Sequence, residues 1–224
     1  MNLLESAGQH LLGVINNVLD YSRLQAGCIE LSPAPVNLTD LAREVTALAA
    51  VNGTEKGLDV VLDSEMPADC LVHVDGGRLK QILLNLLGNA VKFTEQGQVT
   101  MRLFELPHEE GMPSRIGLEV KDTGIGIPEG ELARVFDAFH QVDGRYERKA
   151  AGSGLGLSIA REICMAMGGE LSCDSQPGVG STFRCVLPLA RMTTRGPQPA
   201  ATVMPAITPI VMALAKDVAA TVLL

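Results

Sequence analysis

Three side chains in the stretch RLKQILLNLLGNAVKFT, residues 78–94, have the types and spacing to act together. Asn85, Asn89 and Lys92 follow one another at steps of four and three, so on a helix they share a face. Two amides and an ammonium can then point into one site. Asparagine is a mediocre helix former, and two on one face cost a few tenths of a kcal/mol each unless they cap, hydrogen-bond or hold a ligand. A second signal is DTGIGIP, residues 122–128. A carboxylate at a strand end, followed by Gly124 and Gly126, allows the backbone to turn close to a ligand while Asp122 accepts a hydrogen bond from an exocyclic amine such as adenine N6. A plain turn capped by the aspartate remains the alternative. A third is GSGLGL, residues 152–157, whose Gly152, Gly154 and Gly156 bring backbone N–H groups to an anion at the positive end of a following helix. A flexible loop before a helix has the same pattern. A polar loop instead of a strand precedes it, so it is no dinucleotide-binding fingerprint, and no GxxxxGK[ST] phosphate loop occurs.

Placing these residues requires a set of helices and strands. Leu79, Ile82, Leu83, Leu86, Leu87, Ala90 and Val91 recur at three- and four-residue spacing, which predicts an amphipathic helix under the two asparagines. A long helix is expected over residues 3–26, stopped by Gly27, and an extended connector over 32–36, stiffened by Pro33 and Pro35. Asn37 should cap a helix over 38–52. Strands are expected at 59–63, 70–74, 98–104, 116–121, 170–174 and 181–187, with a helix over 154–167. The polar stretch 107–114 reads as an exposed loop. From Pro128 to Ala151 the chain is charged and weakly periodic apart from a short helix at 129–136, as in a functional lid. Beyond Pro188 the composition turns to Pro, Thr, Ala and Val, the signature of a linker.

A chain of 224 residues with 46% apolar content can bury one domain core and keep segments to spare. Its net charge of -8 and pI near 5.0 argue against nucleic acid as a partner, though not against a nucleotide in a local pocket. Five cysteines without CxxC spacing and four scattered histidines argue against a disulfide framework or structural zinc, and favour a reducing cytoplasmic setting. The aliphatic stretch 203–224 is interrupted by Pro205, Pro209, Lys216 and Asp217, so no membrane segment is expected in this chain.

Taken together and in this order, the motifs of residues 36–189 resemble the ATP-binding catalytic domain of sensor histidine kinases, within the superfamily that includes DNA gyrase, Hsp90 and MutL. NLLGNAVKFT is similar to the family's asparagine box, DTGIGIP to its first glycine box, FDAFHQ to its phenylalanine box and GSGLGLSI to its second glycine box; GVGST, residues 178–182, resembles a further glycine turn. Residues 6–27 resemble the second helix of the dimerisation and phosphotransfer hairpin.

The resemblance implies an α/β sandwich, a mixed β-sheet covered by α-helices on one face and preceded by a long hairpin helix. It implies a partial hairpin at 1–30, the catalytic domain at 31–189, a linker at 190–217 and, at 218–224, the opening of a receiver domain, as in a hybrid kinase. ATP would lie between helices and lid. Asn89 would coordinate Mg2+ with Asn85 nearby, Lys92 would face phosphate, Asp122 would receive adenine N6–H, and Gly124, Gly126 and Ile127 would shape the base pocket. Gly152, Ser153, Gly154, Leu155, Gly156 and Leu157 would cradle the phosphates, Thr182 would lie at the nucleotide, and Phe136 and Phe139 would anchor the lid or its contact with the acceptor helix. Both phenylalanines could equally be core aromatics. Hydrolytic relatives carry a glutamate where this chain has Asn85, an amide with no useful basicity, which favours phosphoryl transfer over hydrolysis. The acceptor motif, a histidine followed by an acidic residue, is absent: His10 lies in QHLLG, within the stretch similar to the second helix. The expected partners are therefore a histidine-bearing hairpin, a response-regulator receiver domain and a second subunit of a homodimer. The two rival readings are a nucleotide-binding interaction module without phosphotransfer and a serine/threonine kinase of the anti-sigma-factor type.

Overall fold

The computed structural model describes residues 30–107, 114–141, 153–189 and 191–192, together with Ile15 and Ser22, both helical. The expectations for the rest of the first helix, for residues 108–113 of the exposed loop, for residues 142–152 of the lid and the second glycine motif, for residues 190 and 193–217 of the linker and for residues 218–224 lie outside the described residues; at the start of the linker, Met192 N donates to Leu71 O at 2.7 Å.

The order of elements is β1 (Ala34–Asn37), α1 (Leu38–Thr54), β2 (Asp59–Ser64), β3 (Leu71–Val74), α2 (Gly76–Phe93), β4 (Gln98–Glu105), β5 (Ile116–Asp122), α3 (Glu129–Leu132), α4 (Gly156–Ala166), β6 (Glu170–Gln176) and β7 (Gly180–Leu187). Five strands form one mixed sheet in the order β2-β4-β5-β7-β6, with β2 parallel to β4 and every other pair antiparallel. The strand β1 pairs with β3 in a separate two-stranded sheet.

Alternation along β4 and β7 turns Val99, Met101 and Leu103, and Phe183, Cys185 and Leu187, to one buried face. Against it pack the apolar stripes of α1 (Leu38, Leu41, Ala42, Val45), α2 (Leu79, Ile82, Leu86, Ala90) and α4 (Ile159, Ala160, Ile163) in one core. This is the expected sandwich with helices on one face. The other face holds Arg102, Phe104, Glu119 and Arg184. There β5 is buried on both sides, because the Phe104 ring covers Gly117 and two arginines cover Glu119.

Both long helices have acidic or amide caps. Asn37 Oδ1 accepts from Asp40 N at 3.1 Å, as expected, and Asp75 Oδ1 accepts from Arg78 N at 2.9 Å. Three local expectations change. Residues 34–37 form an edge strand, which tolerates Pro35 because an edge position needs no N–H. The helix expected over 129–136 stops after Leu132 and continues as turns. Helix α2 begins at Gly76, two residues before the stretch 78–94 in which its stripe was read, because the cap is Asp75.

Candidate functional site

Helix α2 presents Asn85, Asn89 and Lys92, all half-buried, on the face that its apolar stripe leaves free. Asn85 meets the N-terminus of α4: a β-carbon on Gly156 would lie 3.4 Å from Asn85 Oδ1. The Nδ2 of Asn85 is buried without a hydrogen-bond partner among the described residues, an arrangement that costs about 1–3 kcal/mol if left unmet. Among the described residues no side chain caps α4, which leaves its first N–H groups for an anion. Lys92 Nζ stands 4.9 Å over the Phe93 ring, and burial lowers its pKa.

At the far end of α2 lies Asp122, the last residue of β5 and 5% exposed. Its Oδ1 accepts from Gly124 N at 2.8 Å and Ser181 N at 3.3 Å, which leaves Oδ2 as the oxygen available to a ligand. Burial pushes its pKa up, against the pull of those two N–H donors. The turn that follows has no room for a side chain at its two glycines. A β-carbon on Gly124 would fall 2.5 Å from Phe93 O, and one on Gly126, whose φ is +67°, would fall 2.1 Å from Gln176 O. Hydrogen bonds fasten it: Thr123 N to Gln98 O at 3.2 Å, Ile125 N to Phe93 O at 3.3 Å, Gly178 N to Ile125 O at 2.7 Å and Ile127 N to Ser175 Oγ at 2.8 Å.

The chain beyond this turn is tied back to the domain by its side chains and backbone. Phe136 is half-buried, edge-on to Phe183 at 6.3 Å with the Arg161 guanidinium 5.5 Å over its ring. Phe139 is instead 62% exposed and takes the left-handed conformation, φ +62°. The two phenylalanines thus differ: the ring of Phe136 is held against Phe183 and Arg161, and Phe139 donates its backbone N–H to Gly154 O at 3.0 Å. His140 Nε2 pairs with Glu131 Oε2 at 2.7 Å. Across from them Ser153 Oγ accepts from Leu155 N at 3.4 Å, Leu155 is fully buried and Leu157 packs against the core.

Not every expected residue converges. Thr182 pairs with Lys121 in the β5–β7 ladder, which turns it to the sheet face opposite Asp122. The residue beside Asp122 is Ser181, 7% exposed, whose N–H donates to Asp122 Oδ1 and whose hydroxyl lies 3.0 Å from Ser175 Oγ. Neither serine stands out in the sequence, because choosing between adjacent hydroxyls requires the strand register.

The model of a family described as "Histidine kinase-, DNA gyrase B-, and HSP90-like ATPase" matches residues 74–191. Among curated proteins the chain is similar to Hybrid signal transduction histidine kinase B of Dictyostelium discoideum, 38% identical over 87% of this chain and 10% of that protein. It is 41% identical to the signal transduction histidine-protein kinase BarA of Escherichia coli K12 over 82% of this chain and 20% of that protein. The chain therefore spans a tenth to a fifth of the length of these relatives. Among solved structures it resembles full-length ShkA in complex with AMPPNP, with a TM-score of 0.72, 38% identity and coverage of 85% of this chain and 38% of that one. It also resembles the mycobacterial sensor histidine kinase MprB, with a TM-score of 0.57, 28% identity and coverage of 72% and 100%.

Proposed function

We infer that this chain, which belongs to the histidine kinase-, DNA gyrase B- and HSP90-like ATPase family, supplies the ATP-binding catalytic part of a hybrid sensor histidine kinase. The observation that carries the reading is the meeting of Asn85 with Gly156: an asparagine-bearing helix face and a helix N-terminus converge where, among the described residues, neither the buried amide nor the helix end has a side-chain partner. A triphosphate would satisfy both sides. The N–H groups of α4 would donate to phosphate oxygens, and Lys92 would offset their charge. Asp122 Oδ2, in the turn fastened to the C-terminus of α2, would accept from adenine N6. The donor set fits Mg2+ on Asn89, an amide oxygen next to phosphate; when bound, the ion supplies further neutralisation of phosphate charge.

The acceptor would be a histidine on a two-helix hairpin, in the full-length parent or a partner. Its imidazole nitrogen would attack the γ-phosphorus, displacing ADP, and the phosphoryl group would pass on to an aspartate of a receiver domain. Asn85 cannot take a proton from water, which disfavours hydrolysis. A homodimer in the parent and a cytoplasmic site, free or as the cytoplasmic part of a membrane-anchored kinase, belong to the same reading. Among the described residues no helix is long and apolar enough to cross a membrane.

The test mixes the chain with γ-labelled ATP, Mg2+ and an excess of the two-helix hairpin of a relative, and follows acid-labile, base-stable label on the hairpin. Transfer that disappears in both Asn89→Ala and Asp122→Ala is expected. ATP binding without transfer would leave an interaction module, and absence of binding would sink the assigned pocket.

A further inference from the structure

Helix C-termini leave four carbonyls without intrahelical partners, and those of α2 can each be followed to a donor. Ala90 O accepts from Thr94, through N at 3.1 Å and Oγ1 at 2.7 Å. Phe93 O accepts from Ile125 N at 3.3 Å, in the turn below Asp122. The two between them belong to one side chain from a different element. Lys56 Nζ donates to Val91 O at 2.6 Å and to Lys92 O at 3.0 Å, and reaches Thr94 O at 3.4 Å.

The lysine is aimed by the closure of α1. Gly57, at φ +71°, donates to Thr54 O at 3.1 Å and Leu58 N donates to Gly53 O at 3.0 Å, the reciprocal pair that ends a helix in a left-handed residue. Leu58 is 7% exposed and seals that turn to the core. A cation at the negative end of a helix gains from the helix dipole, and fixing its stem to a closed turn lowers the entropy cost of holding three acceptors.

What Lys56 holds is the joint between the two halves of the nucleotide site. On one side of it the helix carries Asn85, Asn89 and Lys92; on the other, Phe93 O and Gly124 are in contact with the turn that carries Asp122. We propose that Lys56 is a positioning residue that sets the distance between the phosphate-side and base-side halves of the site, through the Val91, Lys92 and Thr94 carbonyls. The proposal rests on the reading of the site as an ATP pocket. It touches no ligand itself.

A residue that only stabilised the fold would weaken every ligand alike. A residue that sets a separation affects most the ligand that spans it. For Lys56→Met in the full chain, ATP affinity is expected to fall about tenfold, while adenosine and tripolyphosphate, measured separately by competition, stay within about twofold of their unsubstituted values. Lys56→Arg, which restores a cation with several donors, should recover most of the loss. Hydrogen exchange should quicken over residues 91–97 and 122–126 and stay unchanged in β4 and β5, a readout that Lys56→Gln supplies if the methionine variant does not fold. Unchanged ATP affinity in Lys56→Met overturns the proposal. So does an equal loss for all three ligands that follows the fall in thermal midpoint. Failure of the unsubstituted chain to bind ATP is a separate result, which removes the pocket and this inference with it.

Discussion

The backbone N–H of Phe139 donates to the carbonyl oxygen of Gly154 across 3.0 Å, which ties together two residues fifteen positions apart. Both residues are left-handed, Phe139 at φ +62° and Gly154 at φ +68°. For phenylalanine that conformation costs of order 1 kcal/mol and persists only where its surroundings impose it. Here they do, since a β-carbon on Gly154 would stand 3.0 Å from Phe139 Cα.

Alanine at Gly154 should therefore pry the Phe139–Gly154 joint apart while leaving the sheet intact. The expected result is a loss of ATP affinity and transfer of tenfold or more with about 1 kcal/mol lost in stability. Gly126→Ala should behave differently. Its β-carbon would press within 2.1 Å of Gln176 O, where neither backbone can yield, and a stability loss of about 2–4 kcal/mol is expected. Denaturant midpoints and nucleotide titrations on both variants check the contrast. Equal stability losses would place the Phe139–Gly154 joint inside the rigid core instead.

Asp122 gives the nucleotide-free domain a pH dependence of known sign. Burial raises its folded pKa above the ordinary carboxylate value of 3.8. Below 3.8 the group is protonated in both folded and unfolded chains and does not oppose folding; as pH rises through the raised folded value, a buried charge must form and stability falls. Asp122→Asn should flatten that fall and make the empty protein more stable at neutral pH, since an amide oxygen still accepts from Gly124 and Ser181. Its Nδ2 would then face the adenine amino group donor to donor, and ATP should bind about 10- to 100-fold more weakly. Melting curves from pH 3 to 8 beside nucleotide titrations test both halves; a variant less stable at neutral pH would show that the carboxylate is not strained by burial.

Asn85 predicts a similar trade of stability against activity from a neutral group. Its Nδ2 is buried and unpartnered among the described residues, so Asn85→Leu should leave the empty protein equally stable or more stable, by about 0.5–1.5 kcal/mol. Phosphoryl transfer to the hairpin should be lost. A clear drop in urea midpoint would mean that the amide already has a partner that the leucine cannot replace.

How much of this was legible in sequence depended on how local the cause was. Helix α2 could be read because Leu79, Ile82, Leu83, Leu86 and Leu87 state its period outright, and the cap at Asn37 because asparagine before an apolar stripe has a single local use. The glycine turns were legible because close backbone approach excludes every other residue: Gly124 and Gly126 lie against Phe93 O and Gln176 O. Strand β1 was not, since Pro33 and Pro35 speak for a connector and only the distant β3 turns residues 34–37 into a ladder. Ser181 was passed over for Thr182 because the two differ only in which face of β7 they occupy. Lys56 was invisible altogether, for its three acceptors lie more than thirty residues away and are backbone.

The outer face of the sheet supplies the control for all of these. Glu119 is 4% exposed and its Oε2 accepts from Arg184 Nε at 2.9 Å and Nη2 at 2.7 Å, with Arg102 Nη1 at 3.6 Å from Oε1. Removing it leaves two guanidinium groups that are 37% and 42% exposed and therefore partly hydrated. That limits the cost of Glu119→Ala to about 1–2 kcal/mol, below the figure for a sealed ion pair. The helix-covered face carries the asparagines, the Asp122 turn and the start of α4, so ATP affinity should stay within about twofold once stability is accounted for. Nucleotide titration well below the melting temperature checks this. A tenfold loss of affinity would mean that strain in β5 travels along the strand to Asp122, and that the two faces of the sheet are coupled.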